Sequence, residues 1–532
     1  MNEIAAFTAN TLNTHTYTNT GTTLLPNWLK RCAENTPRQV AVSTREVSWT
    51  FADLDQQASE LAQQFATLGI QEGSRVGVLA SNGLPFIACV HALMRLGAIL
   101  VPLNVRLTLD EQLWLLQDVR AMALITDEHY TIRADEITHH SPALTRGTAV
   151  WDASSDRVRL QGVAMSPTAP LRAEIDLSAI QSIMYTSGTT GMPKGVMVTY
   201  GMQWWNALGS ALNLGHQPED CWLLCMPLFH IGGLSILIKN VIYGIRIAVY
   251  EKFDAQVINQ ALREQQVTII SVVTVMLQRM LAALDAEQGD GRYPTWLRCV
   301  LLGGGPAPRT LLEDCARRAV PVVQSYGLTE SCSQAVTLSP RDALRKLGSA
   351  GRPLLPVQLR IMHEDVVAQP NQAGVICLKG PSITGGYDHR PEATASTIQD
   401  GWLATGDIGY VDEEGYLYVL DRRSDLIISG GENVYPAEIE AALLSHPEVI
   451  EAGVCGEADA QWGQVPIAFV HLQAGSALTM EALLEYVSTR LARFKQPRRI
   501  YLVAELPRNS SGKLLRRELN KLLPAASTQE PM

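Results

Sequence analysis

Tyr185-Thr-Ser-Gly-Thr-Thr-Gly-Met-Pro-Lys-Gly195 follows directly on the apolar, strand-like run 180–184. It interleaves hydroxyls with glycines and closes on Lys194. Such a loop offers backbone N–H groups, hydroxyls and one cation to a polyphosphate, because glycine admits positive φ and close backbone approach. The Walker pattern requires Gly-Lys-Ser/Thr after a fixed spacer, whereas Lys194 follows Pro193 and precedes Gly195, so a P-loop does not fit. The plain alternative is a hairpin turn or linker, which runs rich in glycine and serine also form.

Outward from this loop, short β-rich runs alternate with helical spacing. Residues 27–34 and 51–68 carry helical apolar intervals, the second with Leu54, Leu61 and Phe65 on one face. Runs 76–79, 98–101, 123–126, 221–224, 246–250, 268–273 and 299–302 read as strands. Strands separated by helices predict parallel sheets in an α/β fold, with ligands gathered at strand ends. Gly303-Gly304-Gly305-Pro306, Gln324-Ser325-Tyr326-Gly327 and Leu228-Phe229-His230 are such ends. Alternation over 357–379 predicts a more antiparallel subdomain. Past a polar break at 420–425, helices 437–444 and 480–491 with strands 451–454, 467–472 and 500–503 predict a small α+β unit. The expected division is a disordered lead 1–22, a large domain 23–423, a small domain 424–523 and a tail 524–532.

A chain of 532 residues needs more than one core, and 46% hydrophobic with 18% charged residues is ordinary globular composition. The formal charge of −10 excludes a basic field for nucleic acid, so an anionic ligand must be met by local cations. Nine scattered cysteines lack zinc-site spacing and read as buried thiols of a reducing cytosol. The Thr- and Asn-rich amino end carries no signal-peptide pattern. The apolar run 84–103 contains His91, Arg95 and Pro102 and reads as a buried helix entering a strand. A cytoplasmic protein is expected.

Three further stretches present chemistry. Thr329-Glu330 offers a hydroxyl and a carboxylate after Tyr326-Gly327-Leu328, and a carboxylate there suits Mg²⁺ shared with phosphate oxygens. Most glutamates, though, are only solvated surface. Thr405-Gly406-Asp407 suits a ribose diol, or equally a turn in which the aspartate caps locally. His230 alone reads as well as a satisfied core residue as it does a catalyst.

In order, the opening loop, Tyr326-Gly-Leu-Thr-Glu330, Thr405-Gly-Asp407, Asp421-Arg-Arg-Ser-Asp425 and Pro507-Arg-Asn-Ser-Ser-Gly-Lys513 resemble the acyl-adenylate-forming superfamily. The resemblance runs from about residue 27 to 519. Leu228-Phe-His-Ile-Gly-Gly-Leu-Ser235, Leu301-Leu-Gly-Gly-Gly-Pro-Ala-Pro308, residues 324–334 and Ser429-Gly-Gly-Glu-Asn-Val-Tyr-Pro-Ala-Glu438 resemble its 2-succinylbenzoate–CoA ligase branch of menaquinone biosynthesis; the last is shared with many benzoate-type ligases, and 324–334 is the more telling. Gly232 departs from that branch, which carries serine there.

The resemblance implies a large multi-subdomain adenylate-forming domain and a small mobile carboxy-terminal domain. It implies ATP, Mg²⁺ and CoA as cofactor and co-substrates, and an aromatic carboxylic acid as partner, without nucleic acid or membrane span and with room for a homo-oligomer. Thr186, Ser187, Gly188, Thr189, Thr190 and Lys194 are then expected to hold the β- and γ-phosphates, with Glu330 on Mg²⁺ and Thr329 beside it. Gly303 to Pro306 and Gln324, Ser325, Tyr326 and Gly327 would flank adenine, with Asp407 and Arg422 on ribose. Lys513 would stabilise charge at the α-phosphate. Arg423 and Ser424 form the expected hinge, and Ser429, Gly430, Gly431 and Glu432 would line the pantetheine tunnel. His230, Gly232, Gly233 and Ser235 would shape the acid pocket, with Lys239 pairing the ring carboxylate. The weighed alternatives are another aryl- or medium-chain acid ligase, a carrier-loading adenylation domain, and a non-enzymatic nucleotide-binding protein. No carrier segment follows Leu523, so free CoA is the expected acceptor.

Overall fold

The computed structural model describes residues 24–165, 169–186, 193–287, 291–304, 307–422, 425–429, 432–459, 462–491, 493–508 and 514–523. The expected lead and tail fall outside them.

Two large sheets dominate. One has seven strands in the order Lys194–Thr199, Ile180–Thr186, Ile99–Pro102, Arg75–Leu79, Ala123–Thr126, Thr145–Asp152, Arg157–Leu160. Its four central strands, from Ile99–Pro102 to Thr145–Asp152, run parallel, as alternation with helices predicts. The other, nine-stranded sheet carries Cys221–Leu224, Arg246–Val249, Ile269–Val273, Cys299–Gly303 and Val322–Tyr326 side by side and parallel. Their carboxy-terminal ends therefore share one edge.

Apolar residues from both sheets, among them Val76, Leu100, Trp222 and Ile247, meet in one core. The helix Leu84–Leu96 lies in it with every residue but Pro85 buried. Its two basic side chains are managed locally. Burial pushes His91 down to about 4, so the imidazole is neutral, and Arg95 donates to the Arg172 carbonyl at 2.9 Å. Among the described residues no helix is long and apolar enough to cross a membrane. Helix starts follow local chemistry: Thr50 with Asp53 and Thr108 with Glu111 each form a reciprocal capping box.

The antiparallel sheet reaches further than the alternation over 357–379 predicts. Gln358–His363 and Gly374–Lys379 are joined by Trp402–Val411 and Leu417–Arg422, so residues 420–422 are strand and not yet a break. The last sheet pairs Val449–Asp459 with Gly463–Leu472 in a hairpin much longer than the apolar runs suggest. Glu457 and Gln464 sit on half-exposed or exposed strand positions, where polarity hides the period. The helix expected over 480–491 stops at Ser488.

Candidate active site

The edge shared by the parallel strands gathers most of the described candidates. Strand Cys299–Gly303 brings Gly303 and Gly304 beside Val322–Tyr326, with Leu302 in register with Gln324. Gln324 Nε2 donates to the Ser349 carbonyl at 3.1 Å, and the Ser349 hydroxyl donates to Leu417 O at 2.8 Å, which ties this wall to the antiparallel sheet. A Cβ on Gly303 would meet Ser325 Oγ at 3.1 Å. At Gly327 a Cβ would come within 1.6 Å of Ser333 O, so only glycine permits the turn that presents Thr329 and Glu330 on a short 3₁₀ helix. Tyr326 donates its hydroxyl to Asp407 Oδ2 at 2.7 Å. Asp407 lies opposite Arg422 in the antiparallel register, so both ribose candidates share one strand pair.

The opening loop is carried by an antiparallel hairpin. Thr186 pairs with Lys194 at the ends of Ile180–Thr186 and Lys194–Thr199. The hairpin alternative is thus true of the flanking strands. Lys194 Nζ stands 5.3 Å from the centroid of the Tyr387 ring. The Tyr387 hydroxyl donates to Glu330 Oε1 at 3.0 Å. A cation and a carboxylate proposed for the same triphosphate therefore meet one aromatic side chain that the sequence reading passes over. The Gly385-Gly386-Tyr387 turn was its available signal. Among the described residues no three His, Cys, Asp or Glu side chains cluster as a metal cage, and Mg²⁺ characteristically takes one or two carboxylates plus phosphate oxygens. Glu330 fits that mode.

On the acid side, helix Ile231–Tyr243 begins at His230, whose carbonyl accepts from the N–H groups of Gly233 and Leu234. His230 lies beyond a turn after strand Cys221–Leu224, not at the strand end itself. Asn82 clamps that turn, donating to Met226 O at 2.8 Å and accepting from Leu228 N at 2.9 Å. A Cβ on Gly233 would strike Pro227 O at 2.3 Å, whereas on Gly232 it would meet nothing nearer than Met226 Cε at 4.0 Å. Packing thus leaves room for the serine of the resembled branch. Burial, helped by nearby Arg106, pushes His230 down to about 4, so it acts as a neutral imidazole at pH 7.

Ser235 donates to Gly232 O at 3.3 Å. Lys239, one turn further, is 3% exposed, so it is a buried lysine and not a surface one. Its Nζ lies 3.5 Å from Gln334 Oε1 and 5.7 Å from the Trp222 ring centroid. Burial pulls its pKa down to about 8. The adjacent Cys332 thiol is pushed up to about 12 and supplies no counter-charge at neutral pH.

Ser187, Gly188, Thr189, Thr190, Gly305, Pro306, Arg423, Ser424, Gly430, Gly431 and Lys513 lie outside the described residues, as do the side chains of Arg422 and Glu432. Ser429 is buried and pairs with Glu432 across a short hairpin.

The sequence pattern of the AMP-binding enzyme family matches residues 29–388, and that of the AMP-binding enzyme C-terminal domain matches 438–513. The chain belongs to the AMP-binding enzyme family. This AMP-binding enzyme is similar to the 2-succinylbenzoate–CoA ligase of Geobacillus kaustophilus, with 51% identity over 94% of this chain and 99% of that one. It is also similar to the 2-succinylbenzoate–CoA ligase of Bacillus thuringiensis subsp. konkukian, with 49% identity over 94% and 98%. Among solved structures it resembles the o-succinylbenzoate CoA synthetase (MenE) of Bacillus subtilis in complex with the acyl-adenylate intermediate OSB-AMP. That match has a TM-score of 0.85 and 42% identity over 93% of this chain and 98% of that one. The same synthetase with ATP and magnesium ion matches at a TM-score of 0.85 and 41% identity over 94% and 100%.

Proposed function

We propose that this chain is an AMP-forming acid–CoA ligase that activates 2-succinylbenzoate for menaquinone biosynthesis. The observation that carries the reading is near-full-length similarity to 2-succinylbenzoate–CoA ligases, at 51% identity in the Geobacillus case. The reaction runs in two halves. An oxygen of the succinyl carboxylate attacks the α-phosphorus of ATP, the bond to the β-phosphate bridging oxygen breaks, and pyrophosphate leaves. The CoA thiolate then attacks the acyl carbon, and AMP leaves with the electron pair of the broken C–O bond.

The candidate residues divide the first half between them. Lys194, with the hydroxyls of the loop it closes, holds the β- and γ-phosphates, and Glu330 holds Mg²⁺. The ion, when bound, neutralises charge on the phosphate oxygens. Gly303, Gly304 and Gln324 to Gly327 flank adenine, and Asp407, steadied by Tyr326, takes the ribose diol with Arg422. Lys513 stabilises the charge growing at the α-phosphate. In the second half the small domain turns about Arg423 and Ser424, and the Ser429–Glu432 hairpin lines the pantetheine path. Nine unpaired, buried cysteines support a cytoplasmic setting.

The acid is read by the helix that starts at His230. A buried ammonium without a carboxylate partner is costly, and so is an unpaired ring carboxylate; together they offset each other. Lys239 is the cation we assign to the ring carboxylate, with Gln334 as its resting dipole. AMP release measured across a panel of acids tests the reading: 2-succinylbenzoate should exceed benzoate and medium-chain acids by at least about a hundredfold in kcat/KM, because the latter leave Lys239 unpaired. Preference for a monocarboxylate would assign another acid. Absence of ATP–pyrophosphate exchange with every acid would indicate a nucleotide-binding protein without catalysis.

A further inference from the structure

Tyr387 is 8% exposed and is held from several directions. Its N–H donates to Thr394 Oγ1 at 3.0 Å, and its backbone bridges Val196 on the hairpin strand. Next to it, Asp388 N–H donates to Gly195 O at 2.8 Å, while both Asp388 carboxylate oxygens accept from Arg75 at 2.9 Å. Thr384 donates through its N–H to Glu330 O at 2.8 Å and through its hydroxyl to Met197 O at 2.7 Å. Arg390 reaches Asp118, which also accepts the Tyr185 hydroxyl at 2.7 Å. Residues 384–390 are therefore a strap stitched to Glu330, to both strands of the hairpin and to the seven-stranded sheet. Its tyrosine side chain meets two of the charged groups assigned to ATP, Lys194 and Glu330.

We propose that Tyr387 is a positioning residue for ATP activation, its hydroxyl fixing the Glu330 carboxylate and its ring face seating the Lys194 ammonium before ATP arrives. The inference rests on the assignment of Glu330 to Mg²⁺. The physical reason is preorganisation. A hydrogen bond from a buried hydroxyl restricts the carboxylate to one orientation, and the negative face of the ring restrains a long, otherwise mobile lysine. Neither group then loses as much freedom when the nucleotide binds. The strap makes the tyrosine rigid, so that one side chain registers the hairpin cation against the carboxylate of the 3₁₀ helix that follows strand Val322–Tyr326.

The test compares wild type with Tyr387→Phe, Tyr387→Leu, Glu330→Gln and the Tyr387→Phe/Glu330→Gln double variant. Calorimetry without acid measures Kd for ATP with and without Mg²⁺; ATP–pyrophosphate exchange and thioester formation from supplied acyl-adenylate measure the two halves. Tyr387→Phe should lose about tenfold of the affinity that Mg²⁺ adds to ATP, and a similar factor in exchange, the worth of one charge-assisted hydrogen bond. Thioester formation should be unchanged, and the double variant should lose no more than Glu330→Gln alone. Tyr387→Leu should further weaken metal-free ATP binding by about threefold through Lys194. If Glu330→Gln reduces the Mg²⁺ gain and Tyr387→Phe does not, the positioning role is wrong and the Glu330 assignment stands. If Glu330→Gln leaves the gain intact, that assignment fails and takes the proposal with it. Equal losses by Tyr387→Phe in both halves, or additive losses in the double variant, would reduce Tyr387 to a packing residue.

Discussion

Lys194 and Lys239, the cations proposed for phosphate and for the acid, differ in what surrounds them. Lys194 is half-buried at the end of a hairpin, on a tyrosine face, where water and a mobile triphosphate can both reach it. Lys239 is 3% exposed, inside a helix, with a glutamine dipole, a thiol and an indole for neighbours. A cation at the rim serves any ligand that brings phosphate. A buried cation tolerates only a ligand with an anion at the matching place, so it selects. In the proposed reading the first lysine serves the chemistry common to the family and the second the choice of acid.

A third lysine sets the scale. Lys513→Ala should slow pyrophosphate exchange by about a hundredfold to a thousandfold, while thioester formation from supplied acyl-adenylate survives. Equal loss in both halves would break the two-orientation reading. Next, Lys239→Met should raise KM for 2-succinylbenzoate by about thirtyfold, as expected for removing one partner of a buried charge pair, and leave KM for ATP alone. Lys194→Met should do the reverse, raising KM for ATP by about tenfold. Identical profiles for the two variants would erase the distinction between rim and core.

Titration sharpens it further. With Lys239 held down to about 8 in the free enzyme, kcat/KM for the acid should fall about tenfold per pH unit above that value, and this limb should vanish in Lys239→Met. The smallest effect is on stability. The folded-state pKa lies below the unfolded one, so the unfolded chain binds more protons between about 8 and 10.5, and wild-type stability rises with pH there. The cost of burying the charge, about 3 kcal/mol at most, is fully present at pH 7. Lys239→Met should therefore melt higher than wild type at pH 7, with the gap closing as pH approaches 10. A constant gap would show that packing, not charge, separates them.

The strands Ala123–Thr126 and Cys221–Leu224 were legible to the residue, because short apolar runs bounded by polar residues have few other homes in an α/β chain. The hairpin Val449–Asp459 with Gly463–Leu472 was legible only in its apolar middle, since half-exposed strands carry charges that erase the period. Among site residues, Glu330, Asp407 and Lys194 stood out by their glycine-rich neighbours. Asn82, Gln334 and Tyr387 did not, because each acts on a partner far away in sequence: Tyr387 lies 57 residues from Glu330, and Asn82 lies 146 from Leu228.

Periodicity was enough to establish an α/β chain and the strand ends where ligands gather, and the residue types in its ordered motifs carried the resemblance to the adenylate-forming superfamily. Those are local properties, written in spacing and side-chain chemistry. Whether Lys239 is solvated or buried, and which side chain joins Lys194 to Glu330, were settled only by tertiary packing. Burial and pairing depend on what the rest of the chain brings alongside, and a helix of apolar residues around one lysine reads the same until its neighbours are in place.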